Sequence, residues 1–167
     1  MAPPDKLRIK NDRDEGGRFD YVGKFPDGKQ FMAFVTGAFP GEDRYPDSAT
    51  ARRVKQWLAV LHKFDSEGNY ISSETRRGGF DSEGDIAGEK AWVEFDRMLA
   101  QEEVEFCDIN VKLFNAEIEG IFYSLEYDNE VDEDEADEDD DCEYEAVMLW
   151  PNDIMFHPPW DSGSYST

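Results

Sequence analysis

Residues 19–25 alternate aromatic with small or polar side chains, and residues 30–36 form a second such run after Pro26-Asp27-Gly28-Lys29. Two alternating runs flanking Asp-Gly predict a β-hairpin, because glycine accepts the positive φ that tight turns demand. In the second run Phe31, Ala33 and Val35 share one face, and Met32, Phe34 and Thr36 share the other. Both faces are largely apolar, so this strand is expected in the middle of a sheet covered on both sides. Residues 37–50 are rich in Gly, Pro, Asp and Ser and read as a long exposed loop. Residues 53–64 then read as a strand, with Trp57, Ala59 and Leu61 on one side and Leu58, Val60, His62 and Phe64 on the other. Asp65-Ser66-Glu67-Gly68-Asn69 turns the chain into a returning strand over 70–75, and residues 78–84 read as another loop.

The period then changes. Trp92, Phe95 and Leu99 recur at helical spacing with Ala91 and Met98 alongside, and Asp85 is placed to cap. This predicts a helix over about 86–102 whose apolar stripe packs on the sheet. Strand alternation resumes at Ile109, Val111 and Leu113, with Asn115-Ala116 as a turn and a long strand over 118–127. Residues 144–150 give a seventh strand, and Pro151-Asn152-Asp153 turns into a short eighth over 154–157. The expected fold is α+β: an antiparallel sheet of about eight strands in hairpins with one main helix, in the order ββββ-α-ββββ. Phe64-Asp65-Ser66-Glu67-Gly68 recurs as Phe80-Asp81-Ser82-Glu83-Gly84, which reflects reuse of turn residues rather than a repeat.

Charge changes this picture at one place. The 167 residues carry a net charge of −23, yet residues 1–100 hold 18 acids against 16 bases. Residues 101–167 hold 22 acids and one base, Lys112, and 14 of the 20 residues over 126–145 are acidic. The expectation is one domain over 1–167 with residues 128–143 as an acidic, disordered insert between strands. The acid excess argues against nucleic acid and anionic membranes as partners, since both require a Lys/Arg surface. The N-terminus lacks the apolar stretch of a secretory signal, and no apolar run approaches the roughly 20 residues of a membrane span. A cytoplasmic protein is expected.

No constellation names a reaction. His62 and His157 have no neighbour at ligand spacing except exposed carboxylates such as Asp65 and Asp161, so no metal site and no cofactor is expected. Cys107 reads as a small core thiol, and Cys142, among Asp139, Asp140, Asp141 and Glu143, as a poor nucleophile. The Asp65 loop lacks the glycine and glutamate a calcium loop needs, having Tyr70 and Arg76 in their places. Arg52-Arg53 and Arg76-Arg77 flank one predicted hairpin and could form a small cationic patch. Phosphate-loop, dinucleotide and nucleophile-elbow motifs are absent from the sequence.

Three segments carry a family resemblance: residues 21–31 (YVGKFPDGKQF), 57–65 (WLAVLHKFD) and 156–161 (FHPPWD). Together they resemble a group of small acidic actinobacterial proteins often labelled formate hydrogenlyase regulatory protein. The likeness covers nearly the whole chain apart from the acidic insert. It implies a small bacterial cytoplasmic protein without known catalytic residues.

The leading expectation is therefore a non-enzymatic regulatory or interaction protein that binds a basic partner protein stoichiometrically, as a regulator, inhibitor or toxin-immunity protein. Asp132, Glu133, Asp134, Glu135, Asp137, Glu138, Asp139, Asp140 and Asp141 would drive the encounter, and an exposed Trp160 would anchor it. Weak divalent-ion binding by the same carboxylates is a lesser reading. The rival is an enzyme or small-ligand binder using His62 or His157 with Arg53 or Arg76 in a sheet-helix crevice.

Overall fold

The Asp-Gly hairpin forms where the pattern places it. In the computed structural model, which describes residues 4–11, 21–41, 46–128, 146–160 and 165–166, β2 (Val22–Lys24) pairs antiparallel with β3 (Gln30–Ala38). Gly28 takes φ 91° in the turn and donates its N–H to Phe25 O at 3.0 Å. The strand β3 is central, lying between β2 and β4 (Gln56–Phe64), which pairs in turn with β5 (Tyr70–Phe80). With β6 (Glu105–Phe106) they form a sheet in the order β5-β4-β3-β2-β6.

A second sheet, β12-β11-β10-β9-β8, is built from β8 (Phe114–Ile118), β9 (Ile121–Asp128), β10 (Ala146–Trp150), β11 (Ile154–Phe156) and β12 (Tyr165–Ser166). A third, two-stranded ladder joins β1 (Leu7–Ile9) to β7 (Ile109–Val111). All three sheets among the described residues are antiparallel, so the α+β class holds, with the strands divided rather than gathered in one sheet.

Alternation along β3 and β4 divides the core in two. Met32, Val60 and Phe64 point from the first sheet into a cluster with Tyr123, Leu125, Val147 and Leu149 of the second, closed by Leu7, Ile9, Ile109 and Val111. Phe31, Ala33, Ala59 and Leu61 point the other way, onto Phe95 and Met98 of the main helix α2 (Asp85–Ala100). Each fully buried Leu, Ile or Phe contributes roughly 1.5–3 kcal/mol by leaving water. Gln30 lies between the layers, 3% exposed, yet satisfied: its Nε2 donates to Asp65 O (3.1 Å) and Asn110 O (2.9 Å), and its Oε1 accepts from Asn110 N (2.8 Å).

Several expectations are corrected. The expected loop over 37–50 contains the end of β3 and the start of a short helix, α1 (Ser48–Val54), so Arg53 is helical rather than the start of a strand. Asp47 caps this helix, accepting from Thr50 N at 3.0 Å, a signal hidden in turn-like composition. Strand β5 runs on through residues expected to loop, because Gly78 lets the helix lie directly on the backbone. A Cβ there would sit 2.3 Å from both Ala87 O and Ala91 N. The N-cap of α2 is Gly84, not Asp85. Its buried face is Ala87, Ala91, Phe95 and Met98, while Trp92 stays 46% exposed at the flank against Tyr21 and Phe95. Asn115-Ala116 lie within β8, and the turn falls at Glu119-Gly120 instead.

Candidate functional site

Glu119 (φ 52°) and Gly120 (φ 82°) are both left-handed, the geometry of a two-residue hairpin turn whose twist matches its strands. That turn sets the register of β8 against β9, pairing Asn115 with Ser124, and β9 against β10 pairs Ser124 with Trp150. Since alternate residues share a face, Phe122, Ser124 and Glu126 lie with Asn115 and Trp150 on the side opposite the core residues Tyr123 and Leu125. Beyond β10 the turn Pro151 to Asp153 folds back beside them, with Asp153 at φ 58°. From the first sheet the chain after β3 reaches across, and Gly41 N donates to Gly120 O at 2.8 Å.

These pieces enclose a cleft of about 520 Å³ lined by Phe39, Phe122, Trp150, Asn115, Ser124, Glu126 and Asp153. The volume falls in the range of small-ligand and side-chain pockets. Its described lining holds two carboxylates and no Lys or Arg. Ser124 is 2% exposed and its Oγ has no hydrogen-bond partner among the described residues; the Oδ1 of Asn152, in the adjoining turn, is likewise buried without one. Buried polar groups without partners are rare, and each asks for an explanation.

Residues Asp132, Glu133, Asp134, Glu135, Asp137, Glu138, Asp139, Asp140, Asp141 and Cys142 lie outside the described residues. What is described is where their segment attaches. Asp128 pairs directly with Ala146, so residues 129–145 leave and re-enter the hairpin that carries the cleft, two residues beyond Glu126. Trp160 is half-buried rather than exposed, packed against the inter-sheet core with its ring 6.5 Å from Tyr127.

Two members of the rival set, His62 and Arg76, lie on opposite faces of the first sheet. His62 is fully buried on the inter-sheet face among Phe34, Tyr70, Phe114 and Tyr123, its Nδ1 2.5 Å from Ser73 Oγ. Burial pushes its pKa down to about 3, so the ring is neutral. Arg76 pairs with Ala59 and therefore lies on the opposite, helix-side face, bridging Glu74 (2.8 Å) and Glu94 (3.5 Å). Arg77 instead lies over the Phe80 ring at 4.9 Å. Cys107 is half-buried beside β6 rather than a member of either core cluster, and burial raises its thiol pKa. Among the described residues no three His, Cys, Asp or Glu side chains cluster to hold a metal ion, and no helix is long and apolar enough to cross a membrane.

Sequence reading missed Ser124, Trp150 and Asp153 as a group. The one local signal was a serine interrupting the apolar run Ile121-Phe122-Tyr123-Ser124-Leu125. No family model, no curated protein and no solved structure matches this chain.

Proposed function

We propose that the protein is a non-enzymatic, cytoplasmic interaction protein that binds a basic partner protein stoichiometrically and regulates or blocks it. The observation that carries this reading is the concentration of negative charge on one hairpin. The β9–β10 unit holds Glu126 in the cleft wall, and its strands are joined by residues 129–145, of which 12 of 17 are acidic. Lys112 is the single base among residues 101–167. A charge block of this kind accelerates encounter with a basic surface and disfavours acidic competitors. The regulatory group that three segments of the chain resemble points the same way.

The test exploits the direct pairing of Asp128 with Ala146, which allows residues 129–145 to be replaced by Asn-Gly as a two-residue turn. Fluorescence anisotropy with a labelled oligolysine peptide should show binding by the full chain that weakens steeply with added salt. The shortened chain should fold with a circular dichroism melt close to the parent and bind the peptide at least tenfold more weakly. Equal affinity of the two chains, or no salt dependence, overturns the proposal.

A further inference from the structure

Independently of that reading, we infer that the free edge of β5 is a homodimer interface. Two copies of the chain join their β5 edges antiparallel about a two-fold axis at Thr75, so that Glu74 of each copy stands opposite Arg76 of the other. The first observation is length. Among the described residues the longest strand, β5 with 11 residues, lies at the edge of its sheet and pairs only with β4. An edge strand offers a row of backbone N–H and C=O groups to another chain, and natural sheets keep lone edges short or guard them with proline and lysine. At the far edge of the same sheet β6 has two residues. The β5 sequence contains neither proline nor lysine, and Ile71, at 46% exposure, stands at its start.

The second observation is register. Pairing with β4 skips Ile71 and Gly78, which leaves residues 72–77 as the regular stretch of the edge. An antiparallel two-fold pairing keeps side chains on matching faces, so its centre falls on a residue and not between two. Within 72–77 only centres at Glu74 and Thr75 pair five residues from each copy. A centre at Glu74 sets that carboxylate against its own counterpart. A centre at Thr75 sets Glu74 opposite Arg76 twice and Ser73 opposite Arg77 twice, and no like charges oppose. Glu74 and Arg76 share the helix-side face, across from Leu61 and Ala59. They already bond at 2.8 Å within one chain, and Arg76 reaches Glu94 at 3.5 Å, so a second copy extends an existing ion-pair network. The chain's net charge of −23 opposes self-association, but β5 belongs to its balanced part, where residues 1–100 hold 18 acids against 16 bases.

The experiment is sedimentation equilibrium of the full chain at about 0.15 M salt, where screening over roughly 8 Å reduces the long-range repulsion. A reversible dimer is expected, half formed between about 10 and 500 μM, as suits a pairing below the standard interface size. Glu74→Arg and Arg76→Glu each oppose like charges at two symmetric positions and should weaken the dimer about tenfold or more. Mixed in equal amounts, the two variants present only opposite charges to each other and should form a heterodimer within about threefold of the parent affinity. Circular dichroism melts establish that each variant folds. If Arg76→Glu alone does not fold, the double variant Glu74→Arg/Arg76→Glu carries the test and should dimerise like the parent. A full chain still monomeric at about 500 μM overturns the inference. So does a dimer that Glu74→Arg leaves intact, or the absence of a heterodimer between two folded variants. Dimerisation only after replacing 129–145 by Asn-Gly also overturns it, and would give the edge to the chain's own acidic segment.

Discussion

Gln30 and Ser124 are both polar side chains buried in strands, at 3% and 2% exposure, and they are treated in opposite ways. Gln30 makes three hydrogen bonds at 2.8–3.1 Å that tie the β4–β5 turn and β7 to β3. Ser124 makes none among the described residues and faces a cleft. A buried group kept for architecture comes with its partners supplied, whereas one beside a cavity without a partner is available to whatever enters. On the helix side Arg76 joins Glu74 and Glu94, Arg97 joins Glu94 at 2.7 Å, and Lys63 joins Glu102 at 3.2 Å. Glu126 and Asp153 are the two carboxylates in the cleft lining.

The comparison breaks most clearly at Gln30. Gln30→Leu removes all three bonds to Asp65 and Asn110, so urea denaturation should show a loss of about 3 kcal/mol, at roughly 0.5–1.5 kcal/mol per bond. A loss under about 1 kcal/mol would show that water replaces the amide and that its bonds are not structural.

His62 is intermediate, with Nδ1 bonded to Ser73 and Nε2 buried without a described partner. Its folded pKa, near 3, lies below the unfolded value of 6.5, so the unfolded chain binds the extra proton between those values. Its contribution is complete above pH 6.5 and falls as pH drops, by about 1.4 kcal/mol per unit, or about 2 kcal/mol by pH 5. The carboxylates lowered by hydrogen bonds, such as Asp65 and Asp47, act in the same direction but only as pH nears 3.8 and below. A His62→Phe variant should lose the slope between pH 6.5 and 5. Persistence of the slope in that variant would assign it elsewhere.

The smallest effect is expected at Ser124. Ser124→Ala deletes a hydroxyl that bonds nothing described, so stability should change by less than about 0.5 kcal/mol while the cleft loses its acceptor. Destabilisation as large as that of Gln30→Leu would mean that Ser124 is architectural after all, and would erase the contrast.

Legibility in the sequence followed how local each cause was. The Asp-Gly hairpin, the Asp65 turn and the main helix depend on neighbours within a few residues, and all three occur close to where the pattern places them. In the turn, Asp65 Oδ1 accepts from Glu67 N and Asn69 N, a bond set written into five consecutive residues. Helix α1 was missed because Asp47, Ser48 and Thr50 suit a cap and a loop alike. The path of β5 beneath the main helix was missed because Gly78 reads as a breaker in isolation. Only the contact with Ala87 and Ala91 makes it a packing surface.

By itself the sequence determined the α+β class, the central place of β3 and the confinement of negative charge to the last third of the chain, since alternation, turn residues and charge counts are properties of consecutive positions. The tertiary structure decided which polar residues are spent on architecture and which are left facing a cleft. Gln30 meets Asn110 across 80 residues, and Phe39 meets the β8–β10 face from another sheet. Such meetings are fixed by the packing of sheets against each other, and nothing in the spacing of residues along the chain encodes them separately.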